Sequence, residues 1–216
     1  MIFRELGLAI WISFKTSGLA ALIASFLAVP AALFLAGREF RGKRAILLVN
    51  QTWMAAPTVV IGLLFYSLLG RSGPLGGLGL LYTQTAMTIG QVFLVLPLIL
   101  GFSYTALRQV DKRARLTALT LGATRRQAGW IVLREARFAL LTAVLAGFAR
   151  AISEIGIAMM LGGNIRHATR NITTSIALET AKGEFRNGVI LGVILLVITL
   201  GTNILVQSGL RTKDGE

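Results

Sequence analysis

The sequence predicts an all-α membrane protein with about five transmembrane helices. Five apolar runs of about twenty residues or more recur along the chain. At about 1.5 Å of rise per residue, each is long enough to cross a hydrocarbon core of about 30 Å. Of the 216 residues, 55% are hydrophobic and only 14% charged, with a mean hydropathy of +0.73. That leaves too little polar surface for a water-soluble domain of this length. The net charge of +13 comes from Lys and Arg residues placed between the apolar runs rather than on one continuous face. Topology explains that placement, and nucleic-acid binding does not.

The first span runs from Leu6 to Ala36, with Lys15 near its outer end snorkelling towards the headgroups. Arg4 is the only early positive charge, Glu5 follows it, and the apolar run continues past Lys15 without a small-x-small cleavage context, so the segment reads as retained. The second span covers Ile46 to Leu69, the third Thr83 to Leu107, the fourth Phe138 to Leu161 and the fifth Gly188 to Leu210. Pro30, Pro57 and Pro97 each lie within a span, where a missing backbone donor predicts a bend or a broken helix. Routine tolerance of proline in membrane helices outweighs a hinge role for them. No internal repeat or low-complexity linker divides the chain, so residues 1–216 read as one membrane domain.

Orientation follows from the connections. Arg38, Arg41, Lys43 and Arg44 precede the second span. Arg108, Lys112, Arg113, Arg115, Arg125, Arg126, Arg134 and Arg137 separate the third from the fourth, and Arg211 and Lys213 follow the fifth, making fourteen basic residues on one side. The other side has six: Arg4, Arg71, Arg166, Arg170, Lys182 and Arg186. The positive-inside rule therefore puts the N-terminus outside and the C-terminus inside. Of the outer connections, 71–82 is Gly-rich with Pro74 and reads as a turn or short re-entrant piece. The longer one, 162–187, places Ile172, Ile176 and Leu178 as a short amphipathic helix would on the outer surface.

Small residues along the fourth span, among them Ala143, Gly147 and Ala151, predict close helix packing, as does the Gly188/Gly192 pair opening the fifth. Arg150 and Glu154 stand four apart within the fourth span, on one helix face. A lone ionised group there costs about 2.5–3.5 kcal/mol. Two readings stay open: an ion pair that fixes helix rotation, or a pair facing a translocation route or subunit interface. With no cysteine and one histidine, His167, the chain has few candidates for thiol, metal or acid–base chemistry.

The inner connection 107–138 is more than a topology determinant. Leu116, Leu119 and Ala123, then Ala128, Trp130, Ile131 and Val132, predict two short helices broken at Gly122. Apolar residues on a basic loop suit a helix-in-groove contact with a partner.

This segment resembles the EAA loop of ABC-importer permeases. Aligned on Gly122, Ala118 takes the second alanine position and Val132 stands for the isoleucine. Leu116 and Thr117 occupy the Glu and first Ala positions, and Arg134 and Glu135 the Leu and Pro positions. Phe148–Gly156 and Met159–Asn164 resemble the molybdate/sulfate/tungstate branch, and Thr173–Phe185 resembles tungstate-type permeases in particular. The resemblance implies a non-catalytic homodimer in the inner membrane of a prokaryote, carrying an oxyanion along its central interface. A separate ATPase dimer would bind ATP and Mg on the cytoplasmic side, and an external binding protein would deliver substrate. The coupling helix would run from about Arg113 to Thr124, with Arg113, Arg115, Leu116, Thr117, Ala118, Leu119, Gly122, Ala123 and Thr124 meeting the ATPase. Apart from the resemblance, Arg150, Glu154, Gly162, Gly163 and Asn164 are the candidates for an intramembrane pair or a translocation route, with both readings open. Nothing here resembles a Walker A phosphate loop, so this chain does not bind ATP through that device, and the expectation is no cofactor in this chain. The alternatives are a molybdate or sulfate permease and, more remotely, an ATP-independent channel or carrier, which would more often show further intramembrane acids or an inverted repeat.

Overall fold

The computed structural model describes residues 2–211, with side chains for 5–204 apart from Lys112, Ala114 and Arg115. Among the basic residues named above, the side chains of Arg4, Lys112, Arg115 and Arg211, and the whole of Lys213, lie outside the described residues.

Every regular element among the described residues is helical. In chain order these are α1 (Ile2–Gly37), α2 (Lys43–Met54), α3 (Thr58–Leu69), a 3₁₀ turn (Gly76–Leu78), α4 (Gln84–Gln109), α5 (Lys112–Thr120), α6 (Arg125–Glu135), α7 (Arg137–Ile152), α8 (Gly156–Gly162), α9 (Ile172–Ala181) and α10 (Phe185–Arg211). Within α1, Ala20, Ala24, Ala28 and Ala32 recur at every fourth position and are all 0% exposed. This ridge of methyl groups lets α4 lie close along α1. Glycines seat the next layer: a Cβ at Gly147 of α7 would stand 2.5 Å from Ile99 Cδ1, and one at Gly90 of α4 would stand 2.6 Å from Ile157 Cγ2 of α8. One apolar core gathers α1, α3, α4, α7 and α8 around Ile61, Val95, Ile99, Ile157 and Leu161. A second, near the C-terminal ends of α1 and α4, joins Ala32, Leu107, Val132 and Leu140.

Among the described residues, three helices are long and apolar enough to cross a bilayer: Glu5–Gly37, Gln84–Gln109 and Phe185–Ile204. Two bent pairs bring the candidate spans to as many as five. The second predicted span is one of these pairs, since α2 and α3 meet at 97° rather than forming one rod. Pro57 sits at the cap of α3 with φ −61° and ψ 128°, an extended geometry that ends the helical run before it. The fourth predicted span is the other pair, with α7 and α8 bent by 60° at 153–155. Pro30 and Pro97 each lie inside a continuous helix, so neither breaks its span. At Pro97 a replacement donor is visible. Proline offers no N–H to the carbonyl four residues earlier, and Trp53 Nε1 donates to that carbonyl, Phe93 O, at 3.1 Å. Asn50 Nδ2 donates to Pro97 O at 3.0 Å, so one face of α2 supports this stretch of α4.

The connection 71–82 is a series of turns, as expected. Helix α9 is not the surface-lying amphipathic helix that the apolar spacing predicts. Its first turn is buried, with Ile172, Thr173 and Thr174 at 0%, 4% and 0% exposure, and Ile172 N–H donates to Ser13 Oγ of α1 at 3.0 Å. Lys15 Nζ reaches Gln84 Oε1 on α4 at 3.0 Å, so this cation has a protein partner. Of the GxxxG pair, only Gly188 packs within the chain: a Cβ there would lie 3.2 Å from Thr180 Oγ1, and at Gly192 nothing lies within 4 Å.

Candidate functional site

The basic connection folds into two helices joined by a left-handed turn. Asp111 caps α5, its Oδ1 accepting Arg113 N–H at 2.8 Å. The helix ends at Thr120, so the predicted run to Thr124 overshoots by one turn. At Gly122, φ is +86°. Gly122 N–H returns to Leu119 O at 3.1 Å, and Ala123 N–H to Ala118 O at 3.0 Å, the paired bonds of a Schellman cap. Thr124 then opens α6 through a capping box with Gln127. Ala118 and Ala128 are buried. Leu116, Leu121 and Trp130 remain 61%, 82% and 69% exposed. Between the helices lies a concave surface of about 710 Å³, lined by Leu121, Gly122, Ala123, Arg126, Trp130 and Ile131 among others. Arg113 and Thr117 are exposed and Leu119 is half-buried. Of the predicted docking set, only the Arg115 side chain lies outside the described residues.

The second region is the break in the fourth span. Arg150 and Glu154 do pair, with Nη1 to Oε2 at 2.8 Å. They do not share a helix, because α7 stops at Ile152 and Glu154 falls in the bend. There the two partners differ in burial. The Glu154 side chain is 4% exposed and that of Arg150 41%. Glu154 Oε1 accepts Gly156 N–H at 3.0 Å, and its main-chain carbonyl accepts Thr173 Oγ1 at 3.0 Å. On the other side of the bend, Gln91 Nε2 of α4 donates to Ala151 O at 3.1 Å. A backbone that leaves helical geometry at membrane depth needs such substitutes for its lost bonds. Sequence reasoning passed over Gln91, Asn171 and Thr173. The available signal was a glutamine in the interior of the apolar third span, about two turns past Gln84 at its start, and a polar Asn-x-Thr-Thr run where a lipid-surface helix was expected.

Gly162, Gly163 and Asn164 lie at the far end of α8 from the ion pair, about 10 Å away by helix rise. The structure therefore divides the predicted route set in two. Gly163 closes α8 with φ +67°, and a Cβ there would meet Tyr82 Cδ1 at 2.6 Å. Asn164 Oδ1 accepts Arg170 Nε at 3.1 Å. Beside this turn, Leu63, Tyr66, Tyr82, Met159, Met160 and Ile165 line an open cleft of about 500 Å³. The two tyrosine hydroxyls stand 3.2 Å apart, and this hydrogen bond, with burial, pushes the Tyr82 pKa above its ordinary value.

Comparisons with known proteins follow the same outline. The family model described as "Binding-protein-dependent transport system inner membrane component" matches residues 28–209. A "Probable anion ABC transporter permease protein" of Haloferax volcanii is 39% identical over 208 residues, covering 94% of this chain and 88% of its own. The "Tungstate uptake system permease protein TupB" of Peptoclostridium acidaminophilum is 39% identical over 199 residues, covering 92% of this chain and 87% of its own. A chain in a crystal structure of an amino acid ABC transporter with histidines superposes with a TM-score of 0.72 over 98% of this chain and 95% of that one. At 16% identity it speaks for the fold alone.

Proposed function

Because the chain belongs to the family of binding-protein-dependent inner-membrane transport components, the permease subunits of ABC importers, we propose that it carries tungstate as one half of a homodimer. The membrane crossing counts five spans, each bent pair being one, with the N-terminus outside and the C-terminus inside. Helices α5 and α6 then project into the cytoplasm, where a separate ATPase dimer grips them and supplies the energy. An external binding protein delivers the anion. The observation that carries this reading is the capped α5–α6 pair. It leaves Leu121 and Trp130, 82% and 69% exposed, at a concave surface rimmed by Arg126. Apolar side chains fixed by two capping motifs on an otherwise basic projection suit a groove in a partner protein. Tungstate itself rests on the 39% identity to the tungstate uptake permease.

A dianion entering hydrocarbon unaided meets a prohibitive loss of hydration. The route therefore runs between protomers, past the bend of the fourth span. The test is reconstitution in proteoliposomes with the ATPase and the binding protein. Tungstate uptake should require ATP and should outcompete molybdate and sulfate. Transport without any nucleotide-hydrolysing partner overturns the reading, and preferential molybdate or sulfate uptake replaces the substrate. The chain has no cysteine, so a single cysteine at Arg125 can be labelled without background. Labelling of it from the outer face overturns the orientation.

A further inference from the structure

We infer that Arg150 is an oxyanion-contact residue, its guanidinium exchanging Glu154 for two oxygens of a passing tetrahedral dianion. The inference rests on the proposed oxyanion-permease function and adds to it the side chain that touches the cargo.

The asymmetry of the pair is the first argument. Glu154 is fixed on several sides: Oε2 by Arg150, Oε1 by Gly156 N–H and its carbonyl by Thr173. Arg150 is held at one point, the 2.8 Å bond from Nη1. Its remaining N–H donors have no partner among the described residues, and its side chain is 41% exposed. Of the two partners, Arg150 is therefore the one free to turn away.

Position is the second argument. The bent α7–α8 pair is together long and apolar enough to be one span, as the proposed topology takes it, and Arg150 sits near its middle. An arginine turned to lipid at that depth is unfavourable by about 2.5 kcal/mol or more, so this face of the chain meets water or protein. One turn before it, Ala146 is small and half-buried, and beyond it Ser153 is exposed. Both neighbours are small, and the Arg150 side chain itself is 41% exposed, so its guanidinium is accessible from outside the helix.

The third argument is charge. A planar fork of N–H donors matches two oxygens of such an anion at once. A bare arginine would hold a dianion too tightly for transport, because conduction needs a site that also releases. Glu154, fixed 2.8 Å away, competes for the same donors and returns the guanidinium to its resting bond as the anion leaves. Arg150 and Glu154 together form a contact that is neutral at rest.

The assembled importer, with its ATPase and binding protein in proteoliposomes and radiolabelled tungstate as probe, tests this through three variants. Arg150→Gln combined with Glu154→Gln keeps the bend neutral and hydrogen-bonded. It should assemble and lose at least about tenfold in tungstate uptake, a barrier change of about 1.4 kcal/mol. Uptake at the wild-type rate would make the pair purely structural and overturn the inference. Arg150→Lys keeps the charge and the ion pair but not the fork, and should also lower uptake about tenfold. Unchanged uptake overturns the inference even where the double variant fails to assemble. Glu154→Gln removes the competitor, so the purified permease should retain more bound tungstate than wild type in equilibrium dialysis, and equal or lower retention counts against the exchange. If the wild-type importer moves neither tungstate, molybdate nor sulfate, the oxyanion function itself fails, an outcome distinct from any variant result.

Discussion

Gly122→Val isolates the turn between α5 and α6. The backbone there has φ +86°, and no heavy atom lies within 4 Å of the position a Cβ would take. The substitution therefore creates no clash. Its whole effect is the strain of holding an L residue in left-handed geometry, about 1–2 kcal/mol, and branching at Cβ puts valine at the upper end. Relief of that strain opens the two return bonds, Gly122 N–H to Leu119 O and Ala123 N–H to Ala118 O, each near 3.0 Å. A shift of 1–2 kcal/mol is a factor of about 5–30 in the balance between the capped turn and an open one. The assay is tungstate taken up per ATP hydrolysed in the reconstituted importer, alongside co-purification with the ATPase. Uptake per ATP should fall by about 5- to 30-fold while the protein still inserts and purifies as wild type does. Gly122→Asn, which tolerates left-handed geometry, should stay near wild type. An unchanged uptake ratio for Gly122→Val would show that force does not pass through this turn and would refute the reasoning.

Further outcomes follow from packing and charge. Trp53→Phe removes the donor to Phe93 O and should lower thermal stability in detergent by about 0.5–1.5 kcal/mol. In a Pro97→Ala background the loss should shrink, because the new amide serves the same carbonyl; a double-mutant cycle with no coupling refutes this. Gly147→Leu drives a side chain into Ile99, already 2.5 Å from a Cβ, and should destabilise by about 1–3 kcal/mol in thermal melts. Glu39 lies outside the spans, and the hydrogen bond from Lys43 holds its carboxyl below the ordinary range. Its folded value being depressed, its contribution is present above the unfolded pKa and is lost as pH falls through the folded one. Between about pH 5 and pH 3, wild type should therefore lose slightly more melting temperature than Glu39→Gln, a small difference because the group is 77% exposed. Equal losses would count against the pairing.

The long apolar runs made α1, α4 and α10 readable from composition alone, since bilayer thickness dictates their length. Gly122 was readable too, because a glycine between two amphipathic stretches has few other uses. The α2–α3 angle was not. Pro57 announces a break, but the same residue type at Pro30 and Pro97 leaves the helix continuous, and at Pro97 the difference lies in Trp53, forty residues away in the chain. The α7–α8 bend contains no proline. It depends on Gln91 and Thr173 supplying hydrogen bonds from other helices, a relation that local periodicity cannot express. For the same reason, four-residue spacing placed Arg150 and Glu154 together correctly while giving the wrong backbone between them. The alanine ridge of α1 stood in plain view in the sequence and was obscured by the uniform hydropathy around it.

The bend in the fourth span also dictates an order of biogenesis. Glu154 O is closed by Thr173, nineteen residues downstream, while Ala151 O, which already takes the Glu154 N–H at 3.2 Å, gains a further donor from Gln91, sixty residues upstream. Until Thr173 is in place the Glu154 carbonyl lacks that donor, and a peptide group left unsatisfied in lipid is unfavourable by several kcal/mol. The bend is therefore complete only once α9 has been made and packed against it.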